Sequence, residues 1–81
     1  MIFSTEMIFT GEKNARYLTV KRYRDGRYLL DYDIPLSTVR NEKEIDFWIN
    51  HVGEKNWGNG ECLKNLREKL NEWLSGDAKF N

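Results

Sequence analysis

One cysteine, Cys62, and one histidine, His51, are the side chains through which this 81-residue sequence could run thiol chemistry with an imidazole base. A thiol at a helix start has its pKa lowered by the helix dipole, and a nearby imidazole would complete a nucleophile. Cys62 falls in the first turn of an expected helix, and His51 falls late in the helix before it, off that helix's apolar stripe. The two meet only if the helices pack in one particular way; the plainer reading is a small near-core cysteine and a surface histidine. Two ligands fall short of the roughly four that a zinc site needs. The sequence has no GxxxxGK[ST] or GxGxxG phosphate loop and no carboxylate pair spaced for acid–base work. The expectation is a non-enzyme with no cofactor and no metal. A lone cysteine makes no internal disulfide, which points to a reducing compartment.

Binding chemistry is better represented. Thirteen Lys and Arg balance thirteen Asp and Glu, which excludes a globally basic nucleic-acid binder and an acidic mimic of DNA. The zero sum conceals a separation. Lys13, Arg16, Lys21, Arg22, Arg24 and Arg27 face only Asp25 over residues 13–27, whereas residues 31–61 hold seven acids against Arg40, Lys43 and Lys55. Tyr17, Tyr23 and Tyr28 interleave the basic stretch, and rings beside cations can stack on bases or anchor a protein interface. Asp31 and Asp33 would repel a phosphate backbone on the same surface. Trp57 sits in a Gly/Asn-rich loop outside any periodic stripe, so it reads either as a cap on the core or as an exposed contact. Phe47 and Phe80 are likewise uncommitted. The candidate partner-binding residues are Tyr17, Lys21, Arg22, Tyr23, Arg24, Arg27 and Trp57.

These residues must be positioned by a small set of elements. Alternation over residues 2–9 puts Phe3, Met7 and Phe9 on one face with Thr5 between them. Gly11–Asn14 reads as a turn, followed by strands over 15–23 and 28–34. A two-residue Asp25-Gly26 loop would pair Val20 with Asp31 and waste the apolar pattern. A type I turn at Arg24-Asp25 with Gly26 in a G1 bulge instead pairs Val20 with Leu30, Leu18 with Tyr32 and Thr19 with Asp31. One face then carries Leu18, Val20, Tyr28, Leu30, Tyr32 and Ile34. The other carries Tyr17, Thr19, Lys21, Tyr23, Arg27, Leu29, Asp31 and Asp33. Leu36–Val39 is a candidate fourth strand. Asn41 and Glu44 have capping-box spacing ahead of Ile45, Trp48, Ile49 and Val52. Asn59 caps a second helix over about 61–74 with Leu63, Leu66, Leu70, Trp73 and Leu74 on one side. The expected fold is α+β: a three-stranded antiparallel sheet, or four-stranded with the extra segment, and two C-terminal helices packed on one face. Residues 1–76 form a single domain and 77–81 a short tail. A chain of this length buries only about 60–65% of its unfolded surface, so little stability is in reserve.

No apolar run approaches the roughly 20 residues of a bilayer span, and the N-terminal segment carries Glu6 without a basic start. A cytoplasmic protein with no membrane partner is expected. From Tyr17 to Leu74 the element order resembles the small phage-encoded anti-CRISPR proteins. That resemblance implies an inhibitor of a host defence complex acting by steric blockade in the host cytoplasm. Its partner would be a larger protein or ribonucleoprotein complex. The stretch Tyr17-Leu-Thr-Val-Lys-Arg-Tyr-Arg-Asp-Gly-Arg-Tyr28 also resembles the first hairpin of sheet-reading DNA-binding modules of the AP2 and integrase-arm type. Leu36-Ser-Thr-Val-Arg-Asn-Glu-Lys-Glu44 is similar to the strand-to-helix entry that follows it there. This second likeness implies a DNA- or RNA-binding regulator using the basic 16–27 hairpin; the acidic Asp31/Asp33 pair and the second helix depart from it. A protein partner is the first reading, nucleic acid the second, and a homodimer stays open because a thin domain gains stability by pairing an edge strand.

Overall fold

Alternation organises the first strand of the computed structural model, which describes residues 1–80. In β1 (Phe3–Glu12) Met7 and Phe9 are buried and Phe3 and Thr5 partly so, while Ser4 and Glu6 face solvent. A Lys13-Asn14 loop leads into β2 (Ala15–Arg24), which pairs antiparallel with β1 so that Met7 meets Val20 and Phe9 meets Leu18. β3 (Arg27–Pro35) closes the sheet on the other side, in the order β1-β2-β3. Helix α1 (Glu42–Gly53) and helix α2 (Gly60–Leu74) follow, giving a three-stranded antiparallel sheet with C-terminal helices.

The β2–β3 connection departs from the expected type I turn. Asp25 (φ 51°) and Gly26 (φ 82°) are both left-handed, and Arg24 pairs with Arg27 and Tyr23 with Tyr28. This is the two-residue type I′ loop, whose twist matches the strands it joins. Asp tolerates the left-handed region better than most residues, and here a long-range contact holds it. The Ile2 amide donates to Asp25 Oδ1 at 2.8 Å, and the Asp25 amide donates to the Ile2 carbonyl at 2.8 Å. The wasted apolar pattern that argued against this loop is repaired inside the strand. The ladder shifts between Lys21 and Tyr23, so Leu29 and Leu30 together face Arg22. Beyond this β-bulge Lys21 pairs with Asp31, Val20 with Tyr32, Thr19 with Asp33 and Leu18 with Ile34. Leu18, Val20, Tyr32 and Ile34 therefore share the helix-facing side as expected, although the expected Val20–Leu30, Leu18–Tyr32 and Thr19–Asp31 pairs do not form. Tyr28, expected on that side, turns to the open face beside Tyr23, and Leu30, expected in the core, is exposed.

Pro35 is followed by a 3-10 turn at Leu36–Thr38, not by a fourth strand. The Thr38 hydroxyl donates to the Pro35 carbonyl at 2.6 Å and the Val39 amide to the Leu36 carbonyl at 3.0 Å, which curls the chain and buries Leu36 and Val39. Asn41 caps α1 by accepting from the Glu44 amide at 3.1 Å. The Glu44 carboxylate reaches back one residue further than a capping box requires, to the Arg40 amide and guanidinium. Asn59 caps α2, accepting from the Cys62 amide at 2.9 Å. Between the helices the chain turns so tightly that a Cβ on Gly58 would collide with the Val52 carbonyl. The core joins Met7, Phe9, Leu18, Val20 and Ile34 of the sheet to Ile45, Val52, Leu66 and Leu70 of the helices. Trp73 Nε1 donates to the Val39 carbonyl at 2.9 Å. The short tail returns to the body at Phe80. Phe80 forms a parallel bridge to Phe9 on the outer edge of β1, with ring centroids 5.3 Å apart, and lies edge-on to Trp73. Asn81, the end of that segment, lies outside the described residues.

Candidate functional site

The seven candidate residues divide into three groups. Tyr17, Lys21 and Tyr23 lie on the open face of the sheet, opposite the helices, where alternation along β2 places them. The bulge adds Tyr28 to this group: its ring packs edge-on against Tyr23 at 5.9 Å and its hydroxyl donates to Asp31 Oδ1 at 2.8 Å. That carboxylate holds the Tyr28 phenol above its ordinary pKa. Lys21 is in register with Glu6 on one side and Asp31 on the other. Thr19 is buried on the same face, donating to Asp33 Oδ1 at 2.7 Å and sharing a 2.7 Å hydrogen bond with the Thr10 hydroxyl. The open face thus combines three tyrosines and one lysine with Glu6, Asp31 and Asp33, an excess of negative charge.

Arg24 and Arg27 form the second group. They pair directly across the β2–β3 ladder at the loop and are both exposed. Two like charges side by side repel, and what keeps them together is the loop that Ile2 and Asp25 pin down. Apolar side chains flank the pair. Leu30 is 67% exposed, Leu29 38% and Ile2 72%. A shallow depression at the tip is lined by Arg24, Asp25, Arg27, Tyr28 and Leu29.

Arg22 and Trp57 form the third group, Trp57 buried in the core and Arg22 partly buried over it. Trp57 is only 4% exposed and packs edge-on against Tyr32, centroids 5.2 Å apart. The Arg22 guanidinium lies over the Trp57 ring at 5.2 Å, and Arg22 Nε donates to the Leu30 carbonyl at 2.9 Å. Arg22 is thereby tied to the bulge and the core edge. Its alternation along β2, even where Tyr23 is odd, already set it on the helix side.

A second aromatic surface lies on α1. Phe47 is 59% exposed and its ring stacks nearly parallel on His51, centroids 5.9 Å apart and planes inclined by 6°. Trp48 meets both rings edge-on and donates from Nε1 to Thr38 Oγ1 at 3.0 Å. Lys43 and Glu44 border the hollow beside it. The i, i+4 spacing of Phe47 and His51 is the sequence signal for this pair; His51 read alone concealed it.

His51 is occupied by these stacking contacts, while Cys62 is buried against the sheet. Burial pushes the Cys62 thiol up from its ordinary value, with a hydrogen bond from Thr5 opposing in part, the reverse of the depression a nucleophilic thiol needs. Among the described residues no three His, Cys, Asp or Glu side chains gather as a metal site, and no helix is long and apolar enough to cross a membrane. No family model, curated protein or solved structure matches this chain.

Proposed function

We propose that this chain is a non-enzymatic protein-binding module that acts by steric blockade, presenting the tip of the β2–β3 hairpin to an acidic surface on a larger protein or ribonucleoprotein complex. The observation that carries this reading is the exposed Arg24–Arg27 pair, set on a pinned type I′ loop and bordered by exposed Ile2, Leu29 and Leu30. Cations speed encounter with an acidic partner, and pre-ordered apolar neighbours supply the desolvated contact without loop-ordering entropy. The resemblance of its element order to small anti-CRISPR proteins directs the first search for a partner to bacterial defence complexes.

Nucleic acid is the weaker reading. The tyrosines that would stack on bases share their face with Glu6, Asp31 and Asp33, and Arg22 is drawn back onto Trp57. The Arg24→Glu/Arg27→Glu double variant tests the proposal in affinity capture from bacterial lysate. The protein captured by the wild type should be lost with circular dichroism unchanged; retention of that partner removes the tip from the interface. Salt-sensitive binding of random duplex or single strand at about 50 mM salt would instead favour the nucleic-acid reading.

A further inference from the structure

The two edges of the sheet are not alike. Along β1 the outer edge is attended by the Phe80 bridge to Phe9 and by the Asn59 side-chain amide, which donates to the Phe3 carbonyl at 3.2 Å. β3 has no neighbouring strand on its outer side among the described residues. Exposed Tyr28, Leu29 and Leu30 are consecutive on it. An unpaired edge of this kind is a template for another strand, and charges and bulges normally blunt it. β3 carries both devices, yet their arrangement is self-complementary.

We infer that the outer edge of β3 pairs with β3 of a second copy of this chain, antiparallel about a two-fold axis between Leu29 and Leu30, joining two three-stranded sheets into one of six strands. Charge supplies the first argument. The strand begins at Arg27 and ends with Asp31 and Asp33, so an antiparallel mate sets each basic end against an acidic one. A parallel mate would align like with like.

The bulge supplies the second argument and fixes the register. Paired residues in a sheet point to the same face. Before the bulge Tyr28 lies on the open face and Arg27 on the helix side; after it Asp31 and Asp33 lie on the open face and Tyr32 and Ile34 on the helix side. A regular partner strand matches these faces on one side of the bulge and mismatches them on the other. A second copy reverses its own faces at the same place. With the axis between the leucines, Tyr28 meets Asp31 of the second copy, Arg27 meets Tyr32, and Leu29 meets Leu30. Each tyrosine hydroxyl then has a carboxylate across the axis as well as its own, each guanidinium has a ring, and the exposed leucines close against each other. The mate is selected by the irregularity that would repel an ordinary strand. Isologous pairing of this kind closes at two copies and does not propagate. The two tips point away from each other with Arg24 free on each; Arg27, Leu29 and Leu30 serve both contacts, so the dimer and the partner complex compete for them, although the pairing itself does not rest on the tip's role.

Sedimentation equilibrium tests it directly. The wild-type mass should rise with concentration from 9.7 kDa toward twice that value, and Leu30→Lys should hold it at 9.7 kDa. Leu30 is mostly exposed, so the lysine stays solvated in the monomer and the melting temperature should be unchanged at low concentration. Arg24→Glu should leave the mass curve unaltered, which separates this site from the tip. Hydrogen exchange on the wild type gives a readout that needs no variant: amides of residues 28–32 should gain protection as concentration rises. A wild-type mass fixed at 9.7 kDa up to about 1 mM, a Leu30→Lys protein that still dimerises, or concentration-dependent protection on α1 instead of β3 would each overturn the inference.

Discussion

Removing Leu30 makes a demand that only the bulged ladder can meet. Two residues of β3, Leu29 and Leu30, face the single Arg22, between the Tyr23–Tyr28 pair near the loop and the Lys21–Asp31 pair beyond. With Leu30 deleted, Leu29 alone faces Arg22, the type I′ loop keeps its pairs, and Val20–Tyr32 and Leu18–Ile34 are untouched. The variant loses the Arg22 Nε bond to the Leu30 carbonyl, an exposed hydrogen bond contributing about 0.5–1.5 kcal/mol, and gains a regular ladder in exchange. At about 4–8 °C per kcal/mol for a domain of this size, the melting temperature should fall by less than about 12 °C. In the G1-bulged register, where β3 runs regularly from Tyr28 to Ile34, the same deletion would turn every residue after it over. Ile34, wholly buried, would move into water at a cost of about 1.5–3 kcal/mol, and the Asp31 and Asp33 carboxylates would enter the core at several kcal/mol each unless neutralised. Against a total stability of about 4–12 kcal/mol for 81 residues, that variant would not fold. Thermal denaturation followed by near-ultraviolet circular dichroism distinguishes the two. A deletion variant without a cooperative transition would refute the bulged pairing.

Trp57→Ala should lower stability by about 3–5 kcal/mol, as loss of a buried aromatic does; urea denaturation showing less than about 1 kcal/mol would return Trp57 to the contact surface. Asp25→Val forces a β-branched residue into the left-handed region and removes the Ile2 tether, and should cost about 1–2 kcal/mol, whereas Asp25→Gly should cost less, since glycine adopts that φ freely. The folded-state pKa of Cys62 is raised, so its contribution to stability is fully present below the ordinary thiol value of about 8.5 and declines above it, as the unfolded chain releases a proton that the folded one retains. Stability of the wild type measured between about pH 7 and 10 should therefore fall more steeply than that of Cys62→Ala, and parallel curves would contradict the assignment.

What the sequence could reveal about β3 was limited by the period of a strand. Side chains repeat every two residues, so the apolar pattern fixes which of Tyr32 and Asp33 turns inward but is silent about a shift of two. The G1 bulge places Leu18 opposite Tyr32 and the type I′ loop with an internal bulge places it opposite Ile34; both turn Leu18, Val20, Tyr32 and Ile34 to the helix side. The choice between them lies in the Asp25 conformation, which Ile2 secures from the far edge of the sheet, and no window around the turn contains that contact. The caps were legible because they are local: Asn41 and Asn59 each bond an amide three residues on. Trp57 was not, because a loop residue has no period to show its face, and the Tyr32 and Arg22 side chains that enclose it come from other strands. The candidate site inherits this division. Tyr17, Lys21 and Tyr23, and the helix-side position of Arg22, follow from alternation along β2 alone, whereas the exposure of Tyr28 and Leu30 follows from one extra residue in β3. The bulge therefore sets both what the hairpin presents to a partner and what its edge presents to a second copy, while leaving the buried face in the register the core needs.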